Sequence, residues 1–270
     1  MNKGEDEIRG GTGKKFLAGG VLFLSAVMLL FAARRFYGFA EWYAVTVYPV
    51  LVGSIGRFFG LFPISMAEIG LYGTAAGFFV QIYRIARKKR KLLQTASTVF
   101  LFLSALLFLY AACCGVNYYR NPFSSYLERV GGASTRERLL ELCAWLGEGA
   151  NETWLELEKM EDGFEHLQQK GVTAMEGLAE EYPFLSGYYP LPKPVFFSGI
   201  LSIQQCSGVY SPFTIEANYN RDMVSYNIPH TICHELSHLR GFMREDEANF
   251  IGYLACLGSD DPDYRYSGYL

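Results

Sequence analysis

Residues 229–258 have the sequence PHTICHELSHLRGFMREDEANFIGYLACLG, which contains the most specific motif in the second half of the chain. Pro229 suits the first turn of a helix. In that helix His234 and His238 lie one turn apart on the same face, so both imidazoles can reach a single zinc ion. Glu235 is displaced around the helix and could act as a general base on a water molecule at the metal. The stretch therefore predicts a helix with a zinc site of the HExxH type.

A third protein ligand is expected, because catalytic zinc usually has three such ligands and one open position. Gly241 would let the chain reverse into a second helix over residues 244–257. On that helix Glu245 and Asn249 share a face, whereas Glu247 points roughly the opposite way at about 100° per residue. We therefore predict Glu245 as the third ligand. Asn249 is predicted to hydrogen-bond a ligating histidine and fix its tautomer.

These motifs resemble those of the zincin metallopeptidases. The ExxAN pattern of residues 245–249 is similar to the ExxAD helix of membrane gluzincins such as the CAAX prenyl protease class, with Asn249 where Asp is usual. The whole chain more closely resembles a bacterial family of membrane-anchored, zincin-like proteins of unknown function. The segments that carry this resemblance are 63–65, 208–213, 216–220 and 234–249. The resemblance implies a peptidase-like site and a longer C-terminal region, which would make residues 264–270 a truncation point.

In zincins an edge strand beside the HExxH helix pairs with an extended peptide substrate. We expect residues 215–219 to be that strand. Glu216 and Asn218 alternate and so share one face, which would bring Asn218 near the cleft. A polar strand face close to a turn is an equally good interpretation of this pattern. Tyr210 is a further candidate for contact with the substrate. Four tyrosines are candidates for stabilising an oxyanion: Tyr210, Tyr219, Tyr226 and Tyr253.

Upstream of these motifs the sequence predicts helices and then a small sheet. Residues 134–137 have the form of a capping box at a helix start, and amphipathic helices are expected over 151–170 and 173–181. Residues 194–203 and 209–219 are rich in Val, Ile, Phe and Tyr. Polar residues separate the two runs, so we predict that they form a β-hairpin.

The first third of the chain has the pattern of a membrane domain. The runs 16–33, 66–83 and 98–115 are almost free of charge and about long enough to cross the hydrocarbon core as helices. Residues 42–62 are also apolar but contain Arg57, which would be costly near the middle of a bilayer. We therefore predict about three transmembrane helices, with 42–62 re-entrant or interfacial.

Charge predicts the orientation of these spans. Residues 84–91 contain six basic residues and no acidic one, and short loops of this kind stay in the cytoplasm. The last span must then leave the cytoplasm. The chain is expected to divide into a membrane domain, 1–115, and an extracytoplasmic zincin-like domain, 116–270.

Composition excludes two classes of protein. Of the 270 residues, 50% are hydrophobic and 19% are charged, and the net charge is -3. So much apolar surface cannot stay solvated in a disordered chain. The charge gives no overall basic footprint for nucleic acid.

Together these features predict an α+β protein with N-terminal transmembrane helices, located in the bacterial cell membrane. The expected activity is that of a zinc-dependent metalloendopeptidase with one Zn2+ per chain. It would hydrolyse extracytoplasmic or membrane-proximal peptides or proteins, with the lipid bilayer as its other partner. A non-catalytic zincin-fold receptor or scaffold is the alternative. An intramembrane protease is disfavoured, because Arg240, Arg244 and Glu245 make the HExxH segment too polar for a span.

Overall fold

The computed structural model describes residues 3–87, 92–127, 135–157 and 164–270, which form a mostly helical protein with one small sheet. Residues 39–60 are helical throughout and include two π-helical stretches, Tyr43–Val47 and Val52–Gly56. The helices are α1 (Lys3–Arg35), α2 (39–60), α3 (Met66–Ala86), α4 (Leu92–Cys113), α5 (Arg136–Glu156), α6 (Phe164–Glu181), α7 (Ser198–Ile203), α8 (Ile228–His238), α9 (Glu245–Leu257) and α10 (Pro262–Tyr269). The strands are β1 (Lys193–Pro194), β2 (Gly208–Ser211) and β3 (Glu216–Tyr219).

Among the described residues, two helical segments are long and apolar enough to cross a membrane, Gly10–Arg35 and Leu92–Cys113. Most of their surface is exposed, since 17% and 28% of their most apolar windows are buried. The predicted span 66–83 coincides with α3, a helix of 21 residues. It is not one of the two, because Glu68, Gln81 and its glycines lower its mean hydropathy.

α1 and α4 pack side by side and run in the same direction. On the N-terminal side of the packed pair, Lys15 Nζ of α1 donates to Thr98 Oγ1 of α4 at 3.0 Å. Near their ends, a Cβ added to Gly115 would lie 2.7 Å from Leu30 Cδ2. The two contacts join early residues with early ones and late residues with late ones, so the pair is parallel.

A seam of small residues lets these two helices approach closely. Buried small residues recur at intervals of seven on both helices: Gly19, Ala26 and Ala33 on α1, and Ser97, Ser104 and Ala111 on α4. A Cβ on Gly19 would lie 2.8 Å from Phe100 Cδ1 and 3.2 Å from the backbone of Leu101. The close approach therefore depends on glycine at this position.

α2 packs with one face against the C-terminal part of the chain. Tyr48 and Val52 are buried in the same hydrophobic core as residues of β3 and α8. A Cβ added to Gly56 would meet Ile215. Large apolar side chains on the opposite face are exposed: Trp42, Val45, Val50 and Phe58. The interfacial or re-entrant placement of residues 42–62 stays a prediction.

The prediction of separate helices over 151–170 and 173–181 was wrong. α5 continues to Glu156, and α6 runs through Gly171 without a break. The glycine allows close packing there, since an added Cβ would lie 2.7 Å from Tyr264 Oη. Residues 158–163 lie outside the described residues, and so does Ser134 of the predicted capping box. Thr135 is the N-cap of α5, and its side chain accepts a hydrogen bond from Arg138 N.

The predicted hairpin between 194–203 and 209–219 was also wrong. Ser198–Ile203 is helical, and the hairpin consists of β2 and β3. Its turn ends at Ile215, which has φ +51°. A short apolar run does not distinguish a strand from a helix by its pattern alone.

In the described sheet the strand order is β1-β3-β2, with β1 parallel and β2 antiparallel to β3. The expectation that residues 215–219 form an edge strand is therefore corrected. Glu216–Tyr219 is the central strand and is buried along its length. The edge strand on the side of the HExxH helix is β2.

Candidate metal centre

The HExxH helix α8 is fixed by its own apolar residues. Pro229 lies in its first turn, and Ile232, Leu236 and Leu239 are fully buried in the core. These three side chains point away from His234 and His238. The core therefore sets the direction in which both imidazoles face.

Gly241 turns the chain toward α9. It has φ +84°, a left-handed conformation that favours glycine. An added Cβ there would lie 3.1 Å from Arg120 Nη1, and that guanidinium donates to the Arg240 carbonyl at 2.7 Å. The predicted reversal at Gly241 is confirmed. The predicted helix over 244–257 is confirmed as well, with Arg244 as N-cap and Glu245 as first residue.

The turn brings three potential ligands together. His234 Nε2 lies 3.1 Å from Glu245 Oε2, and His238 Nε2 lies 3.8 Å from Glu245 Oε1. One ligand atom from each residue fits within 4.8 Å of the others. These three side chains could hold a metal ion, and their chemistry is that of a His2Glu zinc site.

The hydrogen bonds of the two imidazoles leave their Nε2 atoms directed at this point. His238 Nδ1 is 2.7 Å from the Phe242 carbonyl oxygen, which can only accept, so Nδ1 carries the proton. His234 Nδ1 is 2.8 Å from Asn249 Oδ1. In neutral imidazoles the Nε2 lone pairs then face a carboxylate with no hydrogen between them. A bound cation would replace the repulsion between these lone pairs and the carboxylate with attraction to both.

Glu235 lies beside the cluster with an unpaired oxygen. Its side chain is buried and its Oε2 has no hydrogen-bond partner in the described residues. β2 approaches it closely, since an added Cβ on Gly208 would lie 2.7 Å from Glu235 Cγ. An orphaned buried carboxylate oxygen is uncommon and calls for a partner. It fits a general base that meets a water molecule at the metal.

Burial shifts the pKa values of these groups. Desolvation lowers the pKa of His234 and of His238 below the ordinary range. Both imidazoles are therefore neutral at neutral pH, which is the form that binds metals. Burial raises the pKa of Glu235 well above its ordinary value, and the negative charge of Glu245 raises it further.

The cluster opens into a cavity of about 480 Å³. One wall is the segment that leads into β2, and another consists of residues that follow the end of α4. The residues that line it, besides the cluster and Glu235, are Cys114, Tyr118, Gln205, Cys206, Ser207, Gly208, Val209, Tyr210, His230, Thr231, Met243 and Asn249.

One family, described as "Protein of unknown function (DUF3810)", matches residues 43–270. The chain belongs to the DUF3810 family. No curated protein matches the chain, and no solved structure does.

In this DUF3810 protein the predicted substrate residues lie in different places. Tyr210 lines the cavity, where its hydroxyl donates to the Cys113 carbonyl at 3.0 Å and lies 2.8 Å from Tyr48 Oη. Glu216 lies outside the cavity, and its carboxylate pairs with buried Lys193. Asn218 is also buried outside the cavity, and its amide donates to the Val209 carbonyl.

Two further residues close to the ligands in sequence have defined positions in the DUF3810 structure. Glu247 points away from the cluster and accepts from Phe123 N at 2.9 Å. His230 lines the cavity, but its Nε2 lies 3.2 Å from the Asn249 carbonyl, and it is outside the group of potential ligands.

Gly208 and Tyr118 are among the cavity residues of the DUF3810 chain that the sequence motifs do not predict. Gly208 opens a strand of β-branched and aromatic residues, and a glycine in such a pattern signals a close backbone approach. Tyr118 has no local signal, because its position depends on where the end of α4 packs.

Proposed function

We propose that this DUF3810 protein is a membrane-anchored zinc metallopeptidase. The observation that carries the proposal is the convergence of two imidazole Nε2 atoms and a carboxylate beside the unpaired carboxylate oxygen of Glu235. His234, His238 and Glu245 are the proposed ligands of one zinc ion.

In the proposed reaction the zinc ion and the residues of the chain have separate roles. Zinc at this position would polarise the scissile carbonyl and activate water for attack. Glu235 would accept the proton of the attacking water and pass it to the leaving amine. Gly208 leaves the space that this carboxylate needs. Asn249 and the Phe242 carbonyl hold the two imidazoles in the ligating tautomer.

β2 is the proposed binding edge for the peptide. It is an outer strand of the sheet, and Gly208, Val209 and Tyr210 line the cavity. An extended peptide that pairs with an exposed strand gains main-chain hydrogen bonds, and its alternate side chains enter pockets. The role expected for residues 215–219 is thus proposed for β2, because β3 is the central strand.

The parallel packing of α1 and α4 supports three membrane spans. If both helices cross the bilayer in the same direction, the chain between them must return across it. Residues 39–60 pack on the C-terminal core, so the 21-residue α3 is the segment left for this return. A crossing by α3 in the opposite direction is the simplest topology in which α1 and α4 both cross the bilayer in parallel.

The ends of these helices support an outward-facing catalytic domain. The first turn of α3 lies against the domain, because Glu216 accepts from Ala67 N at 2.8 Å. The opposite end of α3 leads into the basic segment 84–91, which favours the cytoplasm. Lys14 and Lys15 precede the apolar part of α1 at this same cytoplasmic end.

The test is a cleavage assay with the full chain in lipid nanodiscs, loaded with zinc and mixed with a library of peptides. Wild type is expected to cleave a subset of peptides. Glu235→Gln is expected to lose about 10²-fold or more of the rate, while Glu180→Gln, which changes an exposed carboxylate on α6, keeps it. Zinc-loaded wild type that cleaves no peptide would overturn the peptidase and favour the receptor or scaffold.

A further inference from the structure

Four large apolar side chains stand exposed on one short segment, residues 195–203, which we call the apolar loop. Phe196, Phe197, Ile200 and Ile203 are 65%, 54%, 52% and 86% exposed. The segment includes α7 and ends just before the cavity wall. Contiguous exposed apolar side chains of this size mark an interaction surface.

The apolar loop is fixed to the beginning of α3. Both oxygens of the Glu68 carboxylate accept backbone hydrogen bonds from it, Oε2 from Phe196 N at 2.7 Å and Oε1 from Phe197 N at 3.0 Å. The ring of Phe197 packs edge-on against Tyr72, with centroids 5.8 Å apart. These contacts fix the position of the apolar loop along the axis of α3, beside its first two turns.

That position lies within a bilayer that α3 crosses. A helix of 21 residues is about 31 Å long, which only just spans a hydrocarbon core of about 30 Å. Nearly the whole helix is then needed for the crossing. Tyr72 lies about 9 Å along the axis from Met66, so it and the Phe197 ring packed on it lie below the bilayer surface.

On the membrane topology proposed above, we infer that the apolar loop inserts into the outer leaflet of the bilayer, beside α3. Its occupant is lipid. Arg221 supports this, because its guanidinium lies 5.4 Å from the ring centre of Phe196 and donates to the Phe196 carbonyl at 3.3 Å. A cation beside apolar side chains is the pattern of an interfacial anchor, with the charge at the phosphate level. The hydrogen bonds that Glu68 accepts from Phe196 N and Phe197 N also explain why an acidic residue can lie near the start of an apolar helix, since its carboxylate is paired.

The inserted loop sets the substrate class, and this part rests on the proposed peptidase activity. Gln205, Cys206 and Ser207 of the cavity wall follow directly after α7, while Cys114 and Tyr118 on another wall follow the outer end of α4. Both walls are thus attached to parts of the chain that meet the bilayer. The cavity is held at the membrane surface, where it accepts peptide segments next to a membrane anchor.

The depth of the loop can be measured directly in the full chain. A nitroxide on Ile203→Cys, with the exposed Cys143 and Cys206 replaced by serine, is reconstituted into phosphatidylcholine bilayers. Power saturation then compares relaxation by oxygen, which enters the bilayer, with relaxation by a water-soluble nickel chelate. The label is expected to respond mainly to oxygen, and a label on Glu180→Cys mainly to nickel. A response at residue 203 like that at residue 180 would overturn the insertion.

The substrate class is tested with one cleavable peptide in two forms, tethered to the bilayer by a lipid chain or free in solution. The double variant Phe197→Ser/Ile203→Ser is expected to lose about tenfold in the rate with the tethered form only. Leu155→Ser, at a side chain also 86% exposed, should lose neither. Equal loss with both forms would overturn the substrate class. Wild type that cleaves neither form would overturn the peptidase, while the depth measurement still decides the insertion.

Discussion

Glu235 and Gly208 form a contact that leaves no space for a methyl group. A Cβ on residue 208 would lie 2.7 Å from Glu235 Cγ, so Gly208→Ala is expected to displace the carboxylate from the metal centre. Peptidase activity should fall about 10²-fold or more, since a misplaced general base loses most of its contribution. The measurement is kcat on a cleaved peptide, together with zinc content, which should not change.

Gly177→Ala is the matched control for this substitution. Gly177 lies on α6, and an added Cβ there meets nothing within 4 Å. Full activity in both alanine variants would show that Glu235 does not depend on the space at Gly208. That result would remove the role proposed for the contact.

Asn249 is expected to affect zinc binding through His234. Its Oδ1 lies 2.8 Å from His234 Nδ1, so Asn249→Ala removes the group that orients this imidazole. Zinc affinity is expected to fall about 10- to 100-fold, as measured by competition with a chelator of known affinity. Asn249→Asp retains an acceptor and should keep the affinity near that of wild type. Unchanged affinity in the alanine variant would contradict the orienting role.

The packing of helices α1 and α4 can be tested at two adjacent glycines, one inside the contact and one outside it. Gly19→Leu would push a side chain into Phe100 and the backbone of Leu101, whereas Gly20 has nothing within 4 Å. Gly19→Leu should destabilise the protein by about 1–3 kcal/mol, and Gly20→Leu should have little effect. The check is thermal unfolding in detergent. Equal melting temperatures for the two variants would contradict the observed packing.

The sequence predicted those elements whose determinants are local. Pro229, the spacing of His234 and His238, and Gly241 lie within one short stretch, and they define the two helices of the metal centre without help from the rest of the chain. The apolar run at Ser198–Ile203 fits a strand as well as a helix. Gly171 resembles a helix end until its contact with Tyr264 is known. Such elements depend on tertiary packing, which overrides local preference.

The order of strands illustrates the same limit. Alternation placed Glu216 and Asn218 on strand faces, but which strand lies at the edge depends on pairing. β1 pairs with β3 through residues far from the hairpin in sequence. The polar side chains of β3 are therefore buried, where Glu216 pairs with Lys193 and Asn218 donates to the Val209 carbonyl. The edge strand beside the cavity is β2.

One hydrophobic core of the molecule joins the N-terminal helices to the C-terminal part. Ala33, Tyr48 and Cys113 belong to the same buried cluster as Ile232 and Tyr264. The predicted boundary at residue 115 thus separates apolar from mixed composition, but packing continues across it. The cavity is fixed relative to the helices, and any membrane orientation of the helices is also that of the cavity.

The orientation predicts which cysteines react from outside the cell. Cys143 and Cys206 are exposed and lie in the part proposed to be extracytoplasmic. A membrane-impermeant maleimide should label wild type in intact spheroplasts, and Cys143→Ser/Cys206→Ser should remain unlabelled. In that serine background Arg87→Cys, at the opposite end of α3, should react only after lysis. Labelling of wild type only after lysis would reverse the topology.

Metal analysis of the detergent-purified protein checks whether His234, His238 and Glu245 bind zinc, as proposed. Wild type and Glu235→Gln should contain about one zinc per chain. His238→Ala and Glu245→Ala should lose it, while Glu247→Ala, two residues further along α9 and directed at Phe123, should retain it. Wild type without metal after zinc reconstitution, or zinc retained by both ligand variants, would show that these three residues do not form a zinc site.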